Sequence, residues 1–185
     1  MGIKLDHLNN TFVKFIQKQP LFFVATADVD GRVNLSPKGL DSLRIVNNKE
    51  LHWLSVSGSG NETAAHVQAT GRMTLMFCAF EGDAMILRVY GQASVTHPGD
   101  QQWEALYEQF PDYAGARNIF SLQIDLVTTS CGTGIPEMRV MRERADTELL
   151  PWFVDLGQDG VEKFWRKKNV TSLDGKSTGL FKEER

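Results

Sequence analysis

Apolar positions recur along the chain with two different periods, and these divide it into elements. Leu5, Leu8, Phe12, Val13, Phe15 and Ile16 follow one another at helical intervals and form the stripe of an amphipathic helix, which Gln19-Pro20 stops. Residues 21–27 are aromatic and β-branched, and Asp30-Gly31 is a tight-turn signal before 32–35, so this pair predicts a β-hairpin. A second hairpin is predicted from 43–46 and 51–56 around the amide-rich Asn47-Asn48-Lys49-Glu50. A third comes from 73–80 and 84–95 around Glu81-Gly82-Asp83. Between the second and third, residues 62–69 form a short helix, with Asn61 placed to cap its first amides and Glu62 in the first turn.

The second half is less regular. Pro98-Gly99-Asp100 opens a helix through Phe110, with Trp103, Leu106, Tyr107 and Phe110 on one face. Residues 118–129 alternate as a long strand, and 131–136 make a loop. Residues 148–169 are helical in two pieces broken near Gly157 and Gly160, and the chain from Thr171 is polar and irregular. Short antiparallel strands with helices at the ends predict a mainly β fold, a small barrel of about six to seven strands with peripheral helices.

Two polar interruptions stand out in this pattern, Asn34-Leu35-Ser36-Pro37-Lys38-Gly39 and Gly58-Ser59-Gly60-Asn61-Glu62-Thr63. Their hydroxyls, amides, glycines and one lysine are groups that hold a phosphate-bearing ligand against a sheet, provided the two stretches meet in space. Gly58-Ser59-Gly60 lacks the third glycine of a dinucleotide fingerprint and the Lys-Ser/Thr pair of a P-loop, so those folds are disfavoured.

Composition narrows the choice further. A chain of 185 residues, 42% hydrophobic, fits one domain, and its net charge of −3 supplies no basic field for nucleic acid. Cys78 lies in an apolar run and Cys131 in Ser130-Cys131-Gly132, so no disulfide framework is indicated and a reducing compartment fits. With no apolar signal core at the start and no run of membrane-spanning length, a cytoplasmic protein without membrane association is expected. His7, His52, His66 and His97 have no zinc-site spacing, no metal is expected, and no carboxylate pair or other catalytic group declares itself.

The order of elements, together with Asn34 to Gly39, Gly60-Asn61-Glu62-Thr63-Ala64-Ala65 and Ile86-Leu87-Arg88-Val89-Tyr90-Gly91, resembles the pyridoxamine 5′-phosphate oxidase-like superfamily of FMN-binding split β-barrels. The resemblance covers residues 12–127, the expected barrel core of one domain spanning 1–185, with a helical C-terminal extension at 137–185. It implies a homodimer with flavin mononucleotide (FMN) at the subunit interface and a small-molecule substrate. By position it also implies cofactor contacts from Asn34, Ser36, Pro37 and Lys38, from Val56 and Ser57, and from Asn61, Glu62 and Thr63 on the phosphate-binding segment.

The chain departs from the oxidases themselves at that segment. Where they carry adjacent basic residues it has Glu62 and Thr63, and its tail lacks their tryptophan and arginine spaced ten apart, so another branch of the superfamily is implied. A phosphate dianion then needs its positive charge from elsewhere, and Lys38, Arg72 and Arg88 are the candidates. Arg88, flanked by Ile86, Leu87, Val89 and Tyr90, must meet an acid or an anion and is included among the cofactor contacts. The expected function is a flavin-dependent oxidoreductase. The alternatives are a non-catalytic module holding flavin or heme, and a reductase using the deazaflavin F420.

Overall fold

The structure, a computed structural model, describes residues 2–181. Strands β1 (Lys4–Leu5), β2 (Phe22–Thr26), β3 (Asn34–Lys38), β4 (Leu43–Asn47), β5 (Glu50–Val56), β6 (Arg72–Cys78), β7 (Ile86–Thr96) and β8 (Ala116–Ser130) build one antiparallel sheet. Its order is β3-β2-β6-β7-β8-β5-β4, with β1 added on β8. The helices are α1 (Asn10–Lys18), α2 (Glu62–Thr70), α3 (Trp103–Tyr107) and α4 (Leu150–Lys168), the last entered through a π-helical turn at Ala145–Leu149. This is the mainly β architecture with peripheral helices that the pattern predicts, with eight strands in the sheet rather than six or seven.

The extra strand comes from the start of the chain. Lys4 and Leu5 pair with Thr128 and Val127, and α1 begins only at Asn10, because Asn9 Oδ1 accepts the Phe12 amide at 2.9 Å and caps the helix there. Leu8, Phe12 and Ile16 carry the predicted stripe into the core.

The predicted helix over 98–110 shrinks to Trp103–Tyr107. Pro98 and Gly99, whose φ is +87°, make a turn instead, and Asp100 closes it by accepting the His97 amide at 2.8 Å. Residues 148–169 are helical as read, and the break falls at Gly157 (φ 62°, ψ 175°) while Gly160 stays in the helix. The tail beyond Thr171 is irregular but anchored. Arg32 donates to Asp174, and Lys176 Nζ lies 3.1 Å from Asp30.

Register explains where the barrel stops. Ser36 on β3 opens a cross-sheet row that continues through Val24, Leu75, Val89 and Val127, all four essentially without solvent contact. Residues paired across strands share a face, so Asn34, Ser36 and Lys38 lie on the core side of the sheet. Among the described residues no strand pairs on the outer side of β3, and the apolar row ends in polar side chains. Pro37 is tolerated because β3 is an edge where, among the described residues, no outer strand needs the N–H that proline lacks. The opposite edge curls back, so that Phe22 on β2 meets Trp53 on β5 edge-to-face at 6.2 Å. The barrel is thus closed by side chains across a gap that no backbone ladder bridges.

Candidate functional site

The two polar interruptions meet at that gap. Asn34 Nδ2 donates to Thr63 Oγ1 at 3.1 Å, and Ser36 Oγ donates to Asn34 Oδ1 at 3.2 Å, joining the end of β3 to the first turn of α2. The Ser36-Pro37-Lys38 segment is itself strand rather than a turn after one, which directs Lys38 over the Trp53 ring with Nζ 5.2 Å from its centroid. Leu40, two residues on, holds φ at +62°, a conformation costly for a branched side chain and a mark of a chain path fixed by its surroundings.

Lys38 is half-buried. Burial, followed by the positive charge of Arg117, pushes its ammonium down to about 8, while Glu62 works in the other direction. Arg117 is 4% exposed, and its own value is pushed down to about 10 by burial, again opposed by Glu62. The sequence reading did not single out Arg117. It stands one residue before the predicted start of β8, and a charged side chain next to Asn118-Ile119-Phe120 was the available signal. Its Nη1 donates to the carbonyls of Gly60 at 2.9 Å and Gly58 at 3.4 Å.

Asn61 stands at the N-cap of α2, but its side chain does not cap the helix. Its Oδ1 accepts from Asn118 Nδ2 at 2.6 Å, and its Nδ2 donates to the Asn169 carbonyl at 3.3 Å, inside a buried amide network. Glu62 folds back over Gly60, and its Oε1 accepts the Leu173 amide at 3.2 Å, so the tail engages the carboxylate that stands where a cation was expected.

Val56 and Ser57 end β5 and lead into the loop. Ser57 Oγ donates to the Gly115 carbonyl and accepts from Trp165 Nε1, both at 2.6 Å, so Trp165 packs on its own chain here. Arg88 does not join the cluster. It pairs in register with Met76, the partner of Phe23, on the outer face, and its Nη1 donates to Ser130 Oγ at 3.1 Å; that hydroxyl, not an acid, is its partner. Arg72 turns to the Asp28 carbonyl, at 3.2 Å, and Arg166 to Glu162, so neither supplies charge at the gap.

Other candidates lie elsewhere. Cys78 is buried and Cys131 exposed, both free, and hydrogen bonds from Thr133 lower the Cys131 thiol. Cys131 lines a cavity of about 1160 Å³ with Lys14, Lys18 and Phe80, whose lining includes none of Asn34, Ser36, Lys38 and Thr63. Among the described residues, no group of three or more histidines, cysteines and acids is disposed to hold a metal, and no helix is long and apolar enough to cross a membrane.

An antiparallel barrel split at one edge, with lysine, hydroxyls, amides and a helix N-terminus gathered at the split, defines a split barrel with a candidate ligand site at the split. A sequence profile of the pyridoxamine 5′-phosphate oxidase family matches residues 8–131, and the chain belongs to that family. The pyridoxamine 5′-phosphate oxidase family protein ustO of Aspergillus flavus is 32% identical over 191 residues, covering 95% of this chain and 77% of that protein. Among solved structures, HupZ of Group A Streptococcus superposes with a TM-score of 0.55 at 20% identity, covering 66% of this chain and 98% of that one. A putative pyridoxamine 5′-phosphate oxidase from Lactobacillus delbrueckii gives 0.50 at 22% identity, covering 66% and 94%. At these identities the two structures support the fold alone.

Proposed function

We infer that the protein binds FMN at the split and works as a flavin-dependent oxidoreductase on a small-molecule substrate. The observation that carries this reading is the Asn34–Thr63 hydrogen bond, which unites the Lys38 strand with the start of α2 in one site. The residues fit the group. Asn34, Ser36 and Lys38 offer donors on the core face of β3, and the first amides of α2 and the buried Arg117 offer a place for a phosphate. When bound, the flavin supplies the redox chemistry, which explains why the site needs no acid–base pair of its own.

The protein's contribution is position and charge. The Lys38 ammonium, held over Trp53, stabilises negative charge that builds beside it, and the split keeps that charge partly out of water. Family membership and the exposed apolar side chains of Val33, just before the edge strand β3, and Leu35 on it support a homodimer.

The visible spectrum of purified protein, followed by FMN titration of native protein and Lys38→Ala, tests the reading. Flavin bands, with weaker binding or slower reduction in the variant, are expected. A Soret band, near-violet deazaflavin absorption, or a colourless protein that refuses added FMN would each replace it with another reading. Unchanged affinity and reduction in Lys38→Ala would remove the assigned role of that lysine.

A further inference from the structure

A cavity of about 620 Å³ lies between α3, residues 113–116 and α4, a volume within the range of small-molecule sites. Trp103, Tyr107, Tyr113, Phe153, Trp165 and Phe181 line it with aromatic rings. Two glycines shape it. Gly115, with φ at +79°, sits so close to the Phe153 ring that a Cβ would stand 2.7 Å from it, and Gly157 breaks α4 with open space at its Cβ position.

Most polar groups on this lining are committed to the protein. Tyr107 Oη donates to Asp112 at 2.8 Å and accepts the Tyr113 amide at 2.9 Å. Burial, with the Asp112 hydrogen bond, pushes this phenol up to about 12, so it stays uncharged at neutral pH. Trp165 Nε1 is taken up by Ser57. Glu162 is the one charged side chain among the described lining residues, and Arg166 holds it through Nε at 2.9 Å and Nη2 at 2.7 Å. The cavity is therefore bounded by ring faces and offers a ligand no free counter-charge.

One buried donor is left over. Trp103 is 7% exposed, and among the described residues its indole N–H has no acceptor, although a buried indole ordinarily finds one. That N–H is not sealed in the core, and the ring is fixed by stacking on Tyr107 at 5.3 Å.

We propose that this cavity binds an uncharged, flat aromatic molecule that carries a hydrogen-bond acceptor, with its rings against the aromatic walls and its acceptor on the Trp103 indole N–H. An ionised ligand would leave water for ring faces without compensation and is disfavoured. The site is independent of the flavin reading, because its lining includes none of Asn34, Ser36, Lys38 and Thr63.

Three probes test it: coumarin, a neutral bicycle with a carbonyl; naphthalene, of similar size without an acceptor; and coumarin-3-carboxylate, an anion. Each is titrated into native protein, Trp103→Phe and Val154→Trp while the tryptophan indole N–H signals are followed by ¹⁵N NMR. In native protein coumarin is expected to shift Trp103 and Trp165 and to leave Trp53, in the barrel core, in place. Naphthalene should bind about three- to tenfold more weakly, and the carboxylate about tenfold or more.

Trp103→Phe keeps a ring and removes the N–H, so the advantage of coumarin over naphthalene, read from Trp165, should disappear. Val154 is 65% exposed on the lining, and Val154→Trp adds a ring to the cavity. Both neutral probes should then bind about tenfold or more weakly, and this variant carries the test if Trp103→Phe does not fold. Native Trp103 and Trp165 signals that ignore coumarin, or shifts confined to Trp53, overturn the proposal. So does a carboxylate that binds as well as coumarin, a coumarin preference that survives in folded Trp103→Phe, or unchanged affinity in Val154→Trp.

Discussion

Lys38 carries two opposing demands at the scale of a single residue. Its ammonium is desolvated beside Trp53 and repelled by Arg117, which brings it from an ordinary 10.5 down to about 8. Between those two values the unfolded chain holds more protons than the folded one, so this group's contribution to stability rises with pH from about 8 to about 10.5, and below 8 it is a net cost. Lys38→Met should therefore stabilise the ligand-free protein at pH 7 by about 1–2 kcal/mol, less than full linkage because the ammonium keeps part of its solvation. Urea melts would show it, and a destabilised variant would contradict the burial argument. In native protein, FMN affinity is expected to fall as pH rises through about 8, where the ammonium loses its proton, and to fall less in Lys38→Met.

Glu62 is the other residue on which the anion reading turns. Glu62→Gln keeps an acceptor for the Leu173 amide and removes one negative charge beside the loop. At pH 6.5, with Lys38 protonated, FMN affinity should rise about three- to tenfold in flavin titrations. A weakened affinity would show that the carboxylate acts by holding Arg117 and Lys38 in place, not as a repelling neighbour.

Two glycines decide the geometry of whole elements. Gly91 sits where the β7–β8 register shifts, and a Cβ there would run into the Gln123 carbonyl oxygen, so backbone would have to move. Gly91→Ala should cost about 3 kcal/mol or more, read as a large loss of urea midpoint or as failure to fold. Gly157, by contrast, has open space around its Cβ position and needs only its positive φ. Gly157→Ala should cost about 1–2 kcal/mol, roughly 2–4 °C in melting temperature per kcal/mol, without loss of fold. Both residues were readable as breakers. Only Gly157 was assigned a place in the sequence, because helical periodicity locates a break, whereas a bulge depends on which strand pairs opposite.

For the whole molecule, the unpaired edge β3 matters most. Val33, just before β3, and Leu35 on it are 73% and 64% exposed at an edge with no outer partner among the described residues, a surface that sheet proteins ordinarily cover or charge. Light scattering after size exclusion is expected to give a dimer, and Leu35→Asp is expected to shift it toward monomer and weaken FMN binding together. A monomeric native protein that binds FMN normally would remove the interface from the site. The tail belongs to this scale too, because Asn169, Leu173 and Asp174 fasten it to Gly58, Glu62 and Arg32. Those three tail residues lie beyond the matched residues 8–131.

The sequence by itself determined the class of fold and the two polar segments that meet at the split. Hydrophobic period and turn residues are local properties, and Asn34 to Gly39 and Gly58 to Thr63 interrupt them visibly. It did not determine which cation lies against the loop 58–61, that Asn61 would leave its helix uncapped, or that Arg88 would stand on the outer face. Those outcomes depend on pairing register and on contacts between residues far apart in the chain, such as Asn61 with Asn118 and Arg117 with Gly60. A strand shows its alternation in sequence, but which face meets the core and which buried group lacks a partner are set only when the sheet closes.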